Sequence, residues 1–102
     1  ESEWAMRELA SLRSKSPQTC KVALRQLADS IALADFADNM AMEYRIASRV
    51  IVRPDFTEGV RAVIVDKDNA PKWDPATAED VTADLIDAIF APLSAQEEWK
   101  PL

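Results

Sequence analysis

The sequence predicts an all-α fold, and three observations carry that expectation. Apolar residues recur at steps of three and four through several separate stretches. Residues that cap helix starts, and prolines that open or end helices, stand between those stretches. No internal repeat or low-complexity tract interrupts the pattern.

The opening ESEWAMRELASLRSK brings Trp4, Leu9 and Leu12 close to one face, which predicts a helix near 2–14. Ser16 then suits an N-cap and Pro17 the first helical position, where a missing amide hydrogen costs nothing. Cys20, Val22, Ala23, Leu24 and Leu27 supply the apolar stripe of a second helix near 17–29. The two helices meet at Ser16–Pro17, so a bend or helical hairpin is expected there.

The clearest periodicity follows. Leu33, Phe36, Met40, Tyr44, Ala47 and Ile51 fall on one face of a long helix near 33–52, which Pro54 is expected to stop. Asp35 and Asp38 near its start, and Arg49 and Arg53 near its end, complement the helix dipole. Between 55 and 66 two readings compete. Val63, Ile64 and Val65 are β-branched and would suit a strand. Asp55 with Glu58 resembles a capping box, and Phe56, Val60, Val63 and Ile64 keep helical spacing, which favours helix. DNAPKWDPA, with two prolines, reads as a loop. Leu85, Ile86, Ile89 and Phe90 form the apolar face of a last helix near 82–91, ended by Pro92. Residues 1–93 thus read as one helical unit and 94–102 as a loose tail.

At 102 residues the chain suits one domain or one piece of a larger one. Apolar residues at 48% and charged residues at 29% describe an ordinary globular sequence. A net charge of −6 argues against a nucleic-acid surface, whose affinity comes from basic residues neutralising phosphates. No apolar run approaches a bilayer span, and the start shows no signal-peptide pattern. One cysteine, Cys20, cannot form an internal disulfide, which points to a reducing compartment.

The absent residue types exclude much chemistry. Without histidine there is no serine–histidine or cysteine–histidine nucleophile, and few zinc sites are open. One glycine, Gly59, cannot build a phosphate-cradling loop or a glycine-turn oxyanion hole. Cys20 sits on a predicted apolar face and reads as a buried small hydrophobe. Paired carboxylates are what remains: Asp84 with Asp87, or Glu79 with Asp80, as acid and base. Solvated helix faces explain these acids more simply, and Glu97 and Glu98 fall in the polar tail. Tyr44, Trp4, Trp73 and Trp99 read as core or interface anchors.

Four motifs give the chain a family likeness: SPQTCKVALRQL at 16–27, MEYRIASR at 42–49, RPDFTEGVRAVIVDKDNAPKWDPA at 53–76 and AIFAPL at 88–93. In order and spacing they resemble the C-terminal part of the 3-hydroxyisobutyryl-CoA hydrolases, a branch of the enoyl-CoA hydratase/isomerase (crotonase) superfamily. The likeness runs from Trp4 to Leu93, and its most specific part is EGVRAVIVDKD followed by PKW.

The resemblance implies a helical C-terminal segment of a roughly threefold longer enzyme. The missing N-terminal α/β catalytic core would supply the amides that hold the thioester oxygen and the acids that activate water. It implies an acyl-CoA substrate, with coenzyme A as part of that substrate and no separate cofactor. No catalytic residue is expected in this chain, and none of the isolated chain's own activity. The helices would cover the coenzyme A pocket and carry subunit contacts in a homo-oligomer.

Family positions that line the coenzyme A pocket fall on Val63, where an aromatic is usual, and on Lys67, with an offset of about one residue. Ser16, Pro17, Glu58, Gly59 and Trp73 take structural roles: caps, a close helix approach and a loop anchor. Arg45 and Arg61 are expected to pair with acids. Two other readings stand beside this one, an enoyl-CoA hydratase or isomerase and a stand-alone helical interaction module. Alanine richness and the lack of targeting features favour a bacterial cytoplasm, while eukaryotic members of the family imply the mitochondrial matrix. Helices built to pack on an absent core should leave apolar faces exposed, so the chain alone is expected to self-associate.

Overall fold

A computed structural model describes residues 2–100. Among the described residues five α-helices follow one another: α1 (Glu3–Arg13), α2 (Pro17–Ala32), α3 (Phe36–Val50), α4 (Pro54–Val60) and α5 (Ala83–Phe90). A π-helical turn (Arg61–Val65) continues α4, and a 3₁₀ turn (Ala78–Asp80) precedes α5. The fold is all-α, with no strand among the described residues.

Local chemistry sets most boundaries. Ser2 caps α1 by accepting from the amide of Ala5 at 3.0 Å. The Ser16 hydroxyl accepts from the Thr19 amide at 3.2 Å, with Pro17 as the first residue of α2. α2 runs to Ala32, three residues past the expected end, because nothing breaks it before the extended residue Leu33. α3 starts at Phe36 and not near 33, since Asp35 is extended and its carboxylate accepts from the Ala37 amide at 2.9 Å. Thr82 caps α5 through the Leu85 amide at 3.1 Å.

Two expectations need correction at the junction after α3. The helix ends at Val50, before Pro54, which opens α4 as its first residue. Asp55 and Glu58 form no capping box: Arg53 is the N-cap and offers no side-chain bond. Both acids serve distant partners, described below. The β-branched Val63–Val65 run lies in the π turn, where the Asp66 amide donates to the Arg61 carbonyl at 2.7 Å.

The core lies between α2, α3 and α5. Val22, Met42, Val81, Ile86, Ile89 and Phe90 are buried, with Leu33, Ile46, Val50 and Leu85 packed against them. α3 therefore turns Met42, Ile46 and Val50 inward. The stripe picked out by the periodicity is largely open: Phe36 is 77% exposed and Ile51 55%, while Leu33 at its start packs against the core. A helix with two apolar stripes buries the one its partner faces, and α5 lies over the Met42 stripe. α2 divides in the same way, with Val22 inside and Leu24 and Leu27 outside.

Arg49 fixes the far end of α5. Its guanidinium donates to the carbonyls of Ala88 and Ala91, both at 2.8 Å, and of Ile89 at 3.1 Å. Those carbonyls lie at a helix C-terminus, which leaves acceptors without intrahelical partners. The tail expected to be loose is tied back through Glu98, which pairs with Arg45 and accepts from the Leu93 amide at 3.0 Å. Positions 101 and 102 of that tail lie outside the described residues. No helix among the described residues is long and apolar enough to cross a membrane.

The bundle is open. Its radius of gyration is 15.6 Å, where a compact chain of this length has about 13 Å. α1 buries none of its residues.

Candidate functional site

Two features gather the polar residues and the empty space. The first is a groove of about 910 Å³ between the α1–α2 bend, the outer side of α2 and the loop before the 3₁₀ turn. Leu24, Leu27, Val50 and Phe56 give it apolar walls, and Lys15 and Lys21 stand among its lining residues.

Buried polar residues fasten the end of this groove. The Ser16 hydroxyl donates to Asp55 Oδ2, and the Asp74 amide donates to Asp55 Oδ1 at 2.7 Å. Ser16 and Asp55 are each 5% exposed, so these bonds replace water that the carboxylate has lost. Trp73 closes the junction, its indole N–H donating to the Ser14 carbonyl at 3.0 Å. Gly59 lies beneath that ring: a β-carbon there would stand 3.5 Å from it. The close approach at Gly59 is thus to an indole and not to a neighbouring helix. Gln18 escapes sequence reasoning altogether. It is fully buried, and its side-chain oxygen accepts from Arg53 Nε at 2.5 Å.

The second feature is a knot of charge at the end of α4. Arg61 donates to Glu58, to Asp66 at 2.9 Å and to Asp68 at 2.8 Å. Glu58 also accepts from the Lys72 amide at 2.8 Å. These donors hold the Glu58 carboxyl at about 2, below its ordinary 4.5, and Arg61 is the larger cause. Asp68 is lowered as well, by Arg61 first and the Ala70 amide second. The three acids raise Arg61 further above its normal range.

Within the knotted segment Lys67 and Asn69 adopt left-handed backbone, with φ of 55° and 50°. That conformation is disfavoured for lysine by its β-carbon. The Arg61 bonds and the Asn69 amide to the Ala62 carbonyl at 2.9 Å hold it in place. Lys67 is exposed, and Val63 is 58% exposed on the preceding turn.

The paired carboxylates do not converge into an acid–base site. Asp87 pairs with Arg25 at 2.9 Å, Asp80 accepts from the Thr77 hydroxyl, and Glu97 from the Ser94 hydroxyl. Asp55 is the single carboxylate lining the groove, and both of its oxygens are engaged. A pair of carboxylates acting as acid and base on one reacting atom is therefore not assembled in the groove. Cys20 is half-buried in the groove wall and not a core residue.

Comparisons with known proteins agree with the sequence motifs. The family model described as enoyl-CoA hydratase/isomerase matches residues 1–90. A mitochondrial 3-hydroxyisobutyryl-CoA hydrolase of Dictyostelium discoideum is 40% identical across 97% of this chain and 26% of its own length. The corresponding Xenopus laevis protein is 38% identical across 94% of this chain and 25% of its own. An Arabidopsis thaliana protein named small ribosomal subunit protein mS47 is 36% identical across 95% of this chain and 24% of its own. The chain spans about a quarter of the length of these relatives, a smaller share than the third expected. The names of the two hydrolases place them in mitochondria, and nothing supports the bacterial compartment favoured from composition.

Proposed function

The chain belongs to the enoyl-CoA hydratase/isomerase family, and we propose that it is the helical C-terminal segment of a mitochondrial 3-hydroxyisobutyryl-CoA hydrolase. The parent enzyme would hydrolyse that acyl-CoA thioester in valine breakdown. This segment would cover the coenzyme A pocket and contribute subunit contacts, and would be inactive alone. One observation carries the reading: relatives of that name match nearly the whole chain with about a quarter of their own length. The groove's single, fully engaged carboxylate supports the assignment of catalysis to the remaining polypeptide.

On this reading Lys67 sets a positive charge beside the phosphates of coenzyme A, and Val63 offers an apolar edge where an aromatic would stack. The Arg61 knot holds the loop, so little ordering entropy is lost when substrate arrives. The test is hydrolysis of 3-hydroxyisobutyryl-CoA by the 102-residue chain alone and by the same chain joined to the upstream part of a related hydrolase. The joined protein turns over and the isolated chain does not. Turnover of about 1–1000 per second by the chain alone would overturn the proposal. Crotonyl-CoA as the better substrate of the joined protein would move the parent to the hydratases.

The mS47 match favours a second reading, a family scaffold kept as a component of an assembly. A joined protein that is folded yet inert toward both thioesters supports that reading.

A further inference from the structure

The left-handed turn at Lys67 is a strained point of the backbone. A lysine β-carbon crowds the chain in that conformation, which persists only where its surroundings over-determine it. Asn69 shares the conformation, but asparagine tolerates it far better.

The sequence around this lysine raises a second difficulty. Asp66 and Asp68 flank it, so the nearest partners for its ammonium are its own neighbours. Yet Lys67 is exposed and pairs with no carboxylate among the described residues. Both flanking carboxylates converge instead on one nitrogen, Arg61 Nη1, at 2.9 and 2.8 Å. The remaining edge of Arg61 is fixed by Glu58, which the Lys72 amide holds in turn. Asp68 also accepts from the Ala70 amide at 2.9 Å, which closes the turn after Lys67. Arg61 therefore acts on Lys67 twice, by holding its backbone and by occupying the two acids that would neutralise it. A guanidinium suits this task, because its fork offers five donors in fixed geometry.

From this arrangement we infer that Arg61 is a positioning residue for anion binding at Lys67, keeping that ammonium unpaired so that a phosphate of the substrate meets it. The inference rests on the coenzyme A reading of Lys67 given above and adds the residue on which that contact depends. Without Arg61 the turn relaxes, Asp66 or Asp68 pairs with Lys67, and the phosphate competes with an internal carboxylate.

Two measurements test it. In the 102-residue chain, Arg61→Gln should speed hydrogen exchange at the Asn69 amide roughly tenfold, with the α5 amides unchanged. The second is the dissociation constant for coenzyme A of the chain joined to the upstream part of a related hydrolase. Arg61→Gln and Lys67→Gln should each raise it about threefold to fivefold. The double variant should be no weaker than Lys67→Gln, because Arg61 acts only through the lysine. Adding Asp66→Asn and Asp68→Asn to Arg61→Gln should recover most of the lost affinity, which a merely structural role would not allow. Unchanged exchange at Asn69, additive losses in the double variant, or no recovery without the two aspartates would each overturn the inference. Lys67→Gln with unaltered affinity would show instead that the lysine does not meet coenzyme A, and the inference would fall with that reading.

Discussion

Between α3 and α5, Met42, Ile86, Ile89 and Phe90 lie beneath the surface, whereas along the groove Leu24, Leu27 and Phe56 stay open to solvent. The two regions have similar apolar chemistry. They differ in whether the chain supplies its own partner. The α5 side meets α2 and α3, with Arg49 and the Arg45–Glu98 pair holding its end and the tail in place. The groove side has a polar frame of Ser16, Asp55 and Trp73 around walls that nothing among the described residues covers. A frame kept rigid with its apolar surface open is what a segment made to be covered requires.

The sharpest way to break the comparison is to truncate one residue on each side. Ile89→Ala leaves a cavity in the closed core and should cost about 2–5 kcal/mol, read by urea denaturation of the dilute chain. Leu24→Ala removes a side chain already 69% exposed and should stay within about 0.5 kcal/mol. Equal losses at the two sites would erase the distinction.

Acid affects the α5 side and the charge knot at the end of α4. Arg45 and the Leu93 amide hold the Glu98 carboxyl at about 2, and Glu58 lies at about 2 beside Arg61. Folded values below the ordinary 4.5 mean that each group contributes stability above that pH. The contribution is lost as pH falls from 4.5 toward 2. A denaturation series across that window should show declining stability, with a smaller decline in Glu98→Gln and in 1 M salt. A flat profile would show that neither pair stabilises the fold.

A smaller effect is expected at the groove's anchor. Trp73→Phe deletes the bond to the Ser14 carbonyl, which should cost about 1 kcal/mol and loosen the α1–α2 bend. Limited proteolysis near Ser14 should accelerate while α5 stays intact. Gly59→Ala is the smallest change and has the opposite sign. Gly59 has an ordinary negative φ, and the new β-carbon meets the Trp73 ring at van der Waals distance, 3.5 Å. Thermal denaturation should show a gain of about 0.5–1 kcal/mol from reduced backbone entropy.

What the sequence revealed and what it hid follow the same division. The all-α class and the inward face of α5 were legible because periodicity and caps are local properties. The stripe of α3 that meets α5 was not singled out, because Phe36, Tyr44 and Ile51 keep as good a period as Met42, Ile46 and Val50. Only the location of α5 decides between them. Asp55 and Glu58 resembled a capping box, yet Asp55 bonds Ser16, 39 positions away, and Glu58 bonds the Lys72 amide, 14 away. Gln18 carries no local signal of burial, and it is buried by helices that no local pattern brings together. The likeness to the hydrolases came from motif order, which records ancestry without needing contacts.

Hydrogen exchange of these 102 residues, dilute and alone, against the same residues joined to the upstream part of a related hydrolase tests the central claim most directly. The predicted result is added protection along α1, the Pro17–Leu27 stretch of α2 and Pro54–Val65, with α5 unchanged. Protection that is the same in both forms, or that rises first in α5, would contradict it.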